Sequence, residues 1–298
     1  MDYKNITIAG SGVLGSQIAY QTAFHGFNVS VFDINDEALQ AGKNRIQNLM
    51  KRYQKDLSAS EEQVNTAFNN INFFSDLSLA VSNADLVIEA IPEVVQIKLD
   101  FYHYLGRVAP EKTIFATNSS TFLPSQFAQA TERPEKFLAL HFANEIWKNN
   151  TAEIMKHSAT DMNVFNEMIK FAKAIGMVAL PLYKEQPGYI LNSLLSPFLR
   201  EAQYLVVNGI ADPETVDKTW MIATGSPSGP FAILDVIGMN TPYNLTLAAA
   251  EAGDIEAAKV AKWLKTEFID KGKLGIATGE GFYKYPKPNF LEPDFLKN

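Results

Sequence analysis

Near the start of the chain Ile6-Thr7-Ile8-Ala9 runs directly into Gly10-Ser11-Gly12-Val13-Leu14-Gly15. A short β-branched apolar run, Gly-x-Gly-x-x-Gly and a helix-forming segment constrain the fold more than any other stretch. A second apolar run, Val29-Ser30-Val31-Phe32, leads to Asp33, eighteen positions after Gly15. Strand, glycine turn, helix, strand and acid in this order make a dinucleotide-binding βαβ unit. Gly10 turns the chain tightly out of the strand. Gly12 has no side chain, so a pyrophosphate can approach the backbone, and Gly15 lets the helix pack close to the sheet. The helix N-terminus, at Val13 and Leu14, offers free N–H groups and a partial positive charge to phosphates. Asp33 is placed to accept hydrogen bonds from a ribose diol. It would repel a 2′-phosphate, and Ile34-Asn35-Asp36 supplies no arginine to neutralise one, so the pattern predicts NAD rather than NADP.

At 298 residues the chain can bury one large or two ordinary cores. Its 47% hydrophobic and 20% charged residues are globular values. No apolar run approaches the length of a membrane span. Met1-Asp2-Tyr3-Lys4 leads straight into the first strand, which predicts no signal peptide. The absence of cysteine excludes disulfides, thiol catalysis and thiolate metal sites, and it suits a reducing cytoplasm. No His/Asp/Glu cluster has metal-ligand spacing, so no metal is expected. A net charge of −7 argues against general nucleic-acid binding, yet an anionic small ligand needs only a local basic patch.

Periodicity and punctuation place the remaining elements. A helix is expected over residues 14–24, ended by His25-Gly26, with the histidine as a helix-end residue rather than a ligand. A long polar helix over 36–56, with Asp36 as its N-cap, and a second over 61–69 form a helical hairpin inserted after the second strand. Strands are expected at 71–74, 86–90, 113–116, 137–141, 151–155 and 177–180, with helices at 94–108, 124–130 and 161–175. After Pro187-Gly188 the strand patterns stop. Helices follow at 189–207, kinked at Pro197, and at 213–223, 241–251 and 255–269. The expected architecture is an α/β Rossmann-like N-terminal domain, residues 1–186, and an all-α C-terminal domain, residues 187–298. The 189–207 helix is apolar on most sides, which a subunit partner would cover.

Taken together, these stretches resemble the L-3-hydroxyacyl-CoA dehydrogenase family over nearly the whole chain. The matching residues are Gly10 to Gly15 with Asp33, Glu89-Ala90-Ile91-Pro92-Glu93 with Lys98, and Thr117-Asn118-Ser119-Ser120. They continue through His141-Phe142-Ala143-Asn144, Glu153, Pro187-Gly188-Tyr189-Ile190-Leu191-Asn192, Gly229-Pro230-Phe231, Leu234-Asp235 and Gly279-Glu280-Gly281-Phe282-Tyr283. The resemblance implies NAD as cofactor and a homodimer joined through the helical domain. It implies oxidation of an L-3-hydroxyacyl-CoA thioester, of short chain, to the 3-ketoacyl form. It adds Asn118, Glu93 and Lys98 to the cofactor-binding residues; by themselves Glu93 and Lys98 also read as an exposed charge pair near a helix start.

Oxidising a secondary alcohol needs a base for the hydroxyl proton while hydride leaves for the nicotinamide. Histidine is the natural base near neutral pH. Of four histidines, His141 ends an apolar strand of the cofactor domain, where open α/β sheets bind ligands. Twelve positions on, Glu153 lies in another apolar strand segment. As bare residues the two are also read as a satisfied core histidine and a solvent-facing carboxylate. In the family the matching pair is a dyad, with the glutamate fixing the imidazole tautomer and stabilising the imidazolium. The resemblance brings Ser120 and Asn192 to the substrate oxygen or cofactor edge; otherwise Ser120 is a turn cap and Asn192 an interhelical hydrogen-bonding residue. His103 and His157 read as surface residues.

Lys51, Arg52 and Lys55 on the inserted hairpin are either a coenzyme A phosphate patch or a solvated helix face. After Asn144 the chain reads Glu145-Ile146-Trp147-Lys148-Asn149-Asn150, where the family usually has a Pro-rich apolar stretch. Trp147 there either shortens an acyl pocket or packs beneath the loop. Besides a short-chain acyl-CoA dehydrogenase, two readings stay open: a same-fold dehydrogenase of a free hydroxy acid, such as a sugar acid, and a non-catalytic nucleotide-binding dimer.

Overall fold

The computed structural model describes residues 3–297; Met1 and Asp2, at the start of the segment expected to carry no signal peptide, and Asn298 lie outside them. The chain forms two compact units, one ending at Ile190 and the other beginning at Leu191.

The first unit is built on one eight-stranded sheet. Its strands are β1 (Asn5–Ala9), β2 (Asn28–Phe32), β3 (Ile71–Phe74), β4 (Leu86–Glu89), β5 (Ile114–Thr117), β6 (Phe137–Phe142), β7 (Thr151–Met155) and β8 (Val178–Leu182). They lie in the order β3-β2-β1-β4-β5-β6-β7-β8. All pair in parallel except β6 and β7, which are antiparallel. The order reverses between β1 and β4, and in open α/β sheets ligands bind at the carboxyl ends of the strands at such a point. Helices α1 (Val13–Phe24), α2 (Asp36–Leu57), α3 (Glu61–Asn69), α4 (Leu77–Val81), α5 (Val95–Val108) and α6 (Met162–Ala174) accompany the sheet. Both faces of the central strands are buried, so these read as continuous apolar runs. Alternate residues feed different cores: Leu86 and Ile88 join one with Ile18, Ile46 and Phe171, while Val87 joins another with Tyr102, Leu105 and Phe127.

Local chemistry sets the helix ends. Gly26 follows α1 with φ +86°, and His25 Nδ1 lies 2.9 Å from the Gln21 carbonyl oxygen. The N-cap of α2 is Asn35, one residue before the expected Asp36, because its extended backbone aims Oδ1 at Ala38 N–H, 2.8 Å away. The expected helix at 124–130 is two 3-10 turns, Pro124–Gln126 and Ala128–Thr131. Side chains there compete with the helical ladder, as where Thr131 Oγ1 donates to the Ala128 carbonyl. α4 escapes the periodicity because five residues show too little of a helical repeat.

Helix α7 (Tyr189–Val207) begins at the end of the first unit. The second unit contains the rest of it with α8 (Pro213–Thr224), α9 (Pro230–Ile237), α10 (Asn240–Glu251) and α11 (Ile255–Glu267). Of these, α9 adds to the expected helices. The core of this unit gathers Leu199, Met221, Phe231, Leu234, Val260 and Leu264. Two buried carboxylates tie its ends together. Asp217 accepts from Phe231 N, Ala232 N and Tyr283 Oη, and Asp235 accepts from Phe282 N, Tyr283 N and Tyr285 Oη. Among the described residues no helix is long and apolar enough to cross a membrane.

Candidate active site

The glycine turn opens at the carboxyl end of β1. Gly10 has φ +101°, and a Cβ there would run into the Ala90 carbonyl; a Cβ on Gly15 would run into that of Gly10. Gly12 differs: nothing lies within 4 Å of where its Cβ would be, so its backbone faces open space. α1 starts immediately after it, with no side-chain cap and no acid in its first turn. Two cavities share Gly12, Ala90 and Ile91 on their walls. One, of about 860 Å³, is lined by Phe32, Asp33, Ile97, Phe101 and Tyr104. The other, of about 240 Å³, is lined by Val13, Leu14, Glu93, Lys98, Asn118 and Ser120. Asp33 is rigidly held: Oδ2 accepts from Ser11 N at 2.8 Å and Ser11 Oγ at 2.6 Å, and Oδ1 accepts from Ile34 N at 2.8 Å. An apolar cavity beside a fixed carboxylate, bare glycine backbone at a helix N-terminus and a smaller polar cavity suit adenosine, pyrophosphate and nicotinamide in turn.

The smaller cavity rests on a charge network whose Lys98 and Glu89 are buried and whose Glu93 reaches the surface. Lys98, 1% exposed, places Nζ 2.5 Å from Glu89 Oε1 and 3.1 Å from Glu93 Oε2. Glu89 also accepts from Ile91 N, Tyr102 Oη and Thr117 Oγ1. Glu93 accepts from Ser119 Oγ, Thr121 N and Thr121 Oγ1. Burial raises the Glu93 carboxyl, but the hydrogen bonds from Ser119 and Thr121 and the Lys98 ammonium outweigh it and hold it below its ordinary value. So Glu93 and Lys98 are not an exposed pair. Glu89, which only the matching stretch marks in the sequence, is the centre of the network. Its one signal is a carboxylate closing the wholly buried run Leu86-Val87-Ile88.

On β6 and β7 the antiparallel register sets His141 directly opposite Glu153. Nδ1 lies 3.1 Å from Glu153 Oε2, and Nε2 lies 3.1 Å from Ser120 Oγ. A carboxylate only accepts, so Nδ1 carries the proton and Nε2 turns its lone pair to the Ser120 hydroxyl. Glu153 is 5% exposed, and its Oε1 accepts from Ile190 N at 2.9 Å. Asn118 Oδ1 accepts from Phe142 N at 3.0 Å, which fixes the end of β5 beside the end of β6. Tyr189 stacks on the His141 ring, centroids 4.4 Å apart and planes 19° from parallel. Ser120, His141 and Glu153 thus come together in the first unit. Asn192 lies in α7, in the second unit.

A histidine hydrogen-bonded between a hydroxyl and a buried carboxylate, on a sheet that carries a dinucleotide cradle, is a proton-transfer arrangement. Residues 5–186 match the model for the NAD-binding domain of 3-hydroxyacyl-CoA dehydrogenase, and residues 188–285 match the model for its C-terminal domain. The chain belongs to the 3-hydroxyacyl-CoA dehydrogenase family. It is 32% identical over 285 residues to a probable 3-hydroxybutyryl-CoA dehydrogenase of Bacillus subtilis (strain 168), covering 96% of this chain and 98% of that protein. Among solved structures, a diketoreductase described as performing substrate-directed dual catalysis of dicarbonyl compounds is 52% identical, with a TM-score of 0.91 over 96% of this chain and 100% of that one. The (S)-3-hydroxybutyryl-CoA dehydrogenase of Ralstonia eutropha is 27% identical, with a TM-score of 0.84 over 96% and 100%. This 3-hydroxyacyl-CoA dehydrogenase family member is an NAD-dependent oxidoreductase, which sets aside the non-catalytic reading.

Within the family frame, two expectations change. His157, expected at the surface, is 3% exposed. Its Nε2 lies 3.0 Å from the Pro134 carbonyl oxygen and its Nδ1 accepts from Ala159 N at 3.3 Å, because the turn after β7 folds back over Phe137. Burial pushes its pKa below the ordinary value. Trp147 packs beneath the loop rather than shortening a pocket: it is 5% exposed, its ring lies 5.5 Å from that of Tyr53, and Nε1 donates to Asp56 Oδ2. His103 is exposed, as expected. In the hairpin, Arg52 is paired with Glu145 and lies 4.5 Å over the Trp147 ring.

Proposed function

We propose that the chain interconverts an L-3-hydroxyacyl-CoA of short acyl chain and the 3-ketoacyl-CoA, with His141 and Glu153 as a catalytic dyad. The observation that carries this reading is the line Ser120 Oγ–His141 Nε2–His141 Nδ1–Glu153 Oε2, each hydrogen bond 3.1 Å long. Bound NAD supplies the hydride acceptor in oxidation and the reduced form returns the hydride. In oxidation His141 Nε2 takes the hydroxyl proton, and Glu153 stabilises the imidazolium formed. Ser120 donates to the substrate oxygen and keeps it in line with Nε2. Gly10, Gly12, Val13, Leu14, Gly15, Asp33, Glu93, Lys98 and Asn118 hold the cofactor. For Asn192, as a contact to the substrate oxygen, the proposal rests on the family pattern. We place the enzyme in the cytoplasm and as a homodimer; exposed Leu191, Leu194, Ile222, Val236 and Leu245 support an apolar contact through the second unit.

A second reading has its own support. The Arg52 guanidinium is engaged by Glu145 and Trp147, which leaves the hairpin fewer free cations for coenzyme A phosphates, and the diketoreductase likeness is much higher than that to the acyl-CoA enzymes. This reading makes the substrate a carrier-free dicarbonyl compound reduced by the same dyad. The test follows NADH absorbance with acetoacetyl-CoA and, separately, with pentane-2,4-dione. Turnover of acetoacetyl-CoA at far higher kcat/KM supports the first reading. The reverse preference replaces it with the second, and loss of neither activity in His141→Gln overturns the dyad.

A further inference from the structure

Tyr189 makes three connections at the dyad from one residue. Its ring lies face to face with the His141 imidazole, 4.4 Å between centroids and 19° between planes. Its hydroxyl donates to the Ser119 carbonyl oxygen at 2.7 Å, and Ser120, next along, bonds His141 Nε2. Its backbone has φ +55°, a left-handed conformation that a bulky residue adopts only when its surroundings hold it there. That turn brings the next N–H, of Ile190, to Glu153 Oε1 at 2.9 Å. The ring is 1% exposed among Ala139, Met155 and Leu182. Burial and the nearby carboxylates of Glu153, Glu93 and Glu89 raise the phenol, so it stays protonated and donating.

We propose that Tyr189 is the positioning residue of the dyad, fixing the plane of the His141 imidazole with its ring, the Ser119–Ser120 turn with its hydroxyl, and Glu153 with its left-handed backbone. This inference rests on the dyad reading of the proposed function. Its physical basis is that Nδ1 and Nε2 of one imidazole face two different partners. Rotation about the ring's attachment would break both 3.1 Å hydrogen bonds together. Glu153 and Ser120 pull the ring only at its edge, within its own plane. A flat ring stacked against the face is what resists tilting out of that plane. A phenylalanine would keep the stack but release the Ser119 carbonyl. A leucine would fill space without presenting a flat face.

The experiment compares Tyr189→Leu, Tyr189→Phe and His141→Gln with wild type in steady-state reduction of the substrate turned over fastest, with NADH affinity measured by fluorescence and folding by circular dichroism. Misplacing the base predicts a fall in kcat of about 10²-fold for the leucine variant. NADH affinity should stay unchanged, and the solvent deuterium isotope effect on kcat should rise because proton transfer has become slower. The phenylalanine variant should recover most of the loss, staying about two- to tenfold below wild type for the missing hydrogen bond. A folded leucine variant with wild-type kcat and isotope effect overturns the proposal. So does a fall in kcat matched by an equal loss of NADH affinity. Should the leucine variant not fold, the phenylalanine variant decides: reduced kcat at unchanged NADH affinity supports the positioning role, and wild-type kcat overturns it. His141→Gln separates the two layers: full activity there overturns the dyad itself, whereas an inactive His141→Gln beside a fully active Tyr189→Leu overturns the positioning role alone.

Discussion

Arg52 on α2 and Glu145 in the loop after β6 form an ion pair that ties the inserted hairpin to the segment following His141. Glu145 has φ +58°. Its N–H donates to Gln17 Oε1, which also accepts from Ile146 N, and Gln17 Nε2 donates to Asn144 Oδ1. Gln17 belongs to α1, the helix that begins at the glycine turn, so one loop is bonded to both the cofactor helix and the hairpin. Both charges are partly exposed, 45% and 41%, and such pairs contribute about 0–1 kcal/mol. We therefore expect Glu145→Ala to change stability little but to free Arg52. If hairpin cations hold coenzyme A, that variant lowers KM for acetoacetyl-CoA several-fold and leaves KM for pentane-2,4-dione unchanged. Equal KM values for acetoacetyl-CoA in variant and wild type would show that the pair does not restrain Arg52 from the substrate.

His141→Gln is expected to lower kcat by about 10²–10⁴-fold, the usual contribution of a positioned general base. NADH affinity should be nearly unchanged, because the imidazole is bonded to Ser120 and Glu153 rather than to the glycine cradle. Glu153→Gln should also be severe: the amide keeps roughly the shape but not the charge that offsets the imidazolium. Stopped-flow reduction with NADH titrations checks both; a His141→Gln enzyme turning over at the wild-type rate refutes the role.

The parts of this site that were legible in the sequence are those where one residue type has one common use. Gly10, Gly12 and Gly15 after a β-branched run, with Asp33 after the next, carry their geometry in their spacing. His141 and Glu153 were legible as a pair through the family resemblance; as bare residues they stayed ambiguous, because spacing alone does not say that β6 and β7 run antiparallel with these two residues opposite each other. The charge network was not. Apart from the resemblance, Glu93 and Lys98 read as an exposed charge pair and Glu89 carried no reading of its own; that Lys98 and Glu89 are enclosed, and which carboxylates meet the ammonium, depends on packing that spacing does not encode. Trp147 was ambiguous because its partner, Tyr53, lies 94 positions earlier on the inserted hairpin, a pairing visible only in three dimensions. His157 was misjudged because the position after a strand end usually faces water; here the chain folds back onto the Pro134 carbonyl.

The buried His157 makes stability depend on pH. Its pKa lies below the ordinary 6.5 in the folded chain because burial disfavours the imidazolium. As pH falls through 6.5, unfolded chains take up a proton that folded chains do not, so the equilibrium moves toward unfolding. The stabilising contribution is complete above the unfolded value and is lost as pH drops through the folded one. We expect Tm to fall between about pH 7.5 and 5, and His157→Gln, whose amide can donate to Pro134, to flatten part of that slope. Parallel slopes in the two proteins would mean that other groups account for the acid sensitivity.

The last prediction tests what holds the smaller cavity together. Lys98 is 1% exposed and lies between Glu89, also 1% exposed, and Glu93. Burying charges is costly, and the cost is offset only while every charge keeps its partners. Lys98→Met removes the cation and leaves two carboxylates facing each other, one of them inside the protein. Breaking a buried pair in this way costs roughly 3–5 kcal/mol. Glu89→Gln together with Lys98→Met removes the stranded charge as well. The amide oxygen introduced by Glu89→Gln would still accept from Tyr102 and Thr117, so the double variant should recover much of the loss. Urea unfolding can be read in a Trp220→Phe/Trp263→Phe background, where Trp147, buried in the first unit, is the one remaining tryptophan. In that background Lys98→Met should unfold at markedly lower urea, and the double variant should lie between it and the parent. Both should bind NADH more weakly, because Ser119 and Thr121 on the cavity wall are held by Glu93, which Lys98 neutralises. If the double variant is as unstable as Lys98→Met and Glu89→Gln, each measured alone in the same background, summed, the loss comes from packing of the lysine stem rather than from charge, and the electrostatic account of the network is wrong.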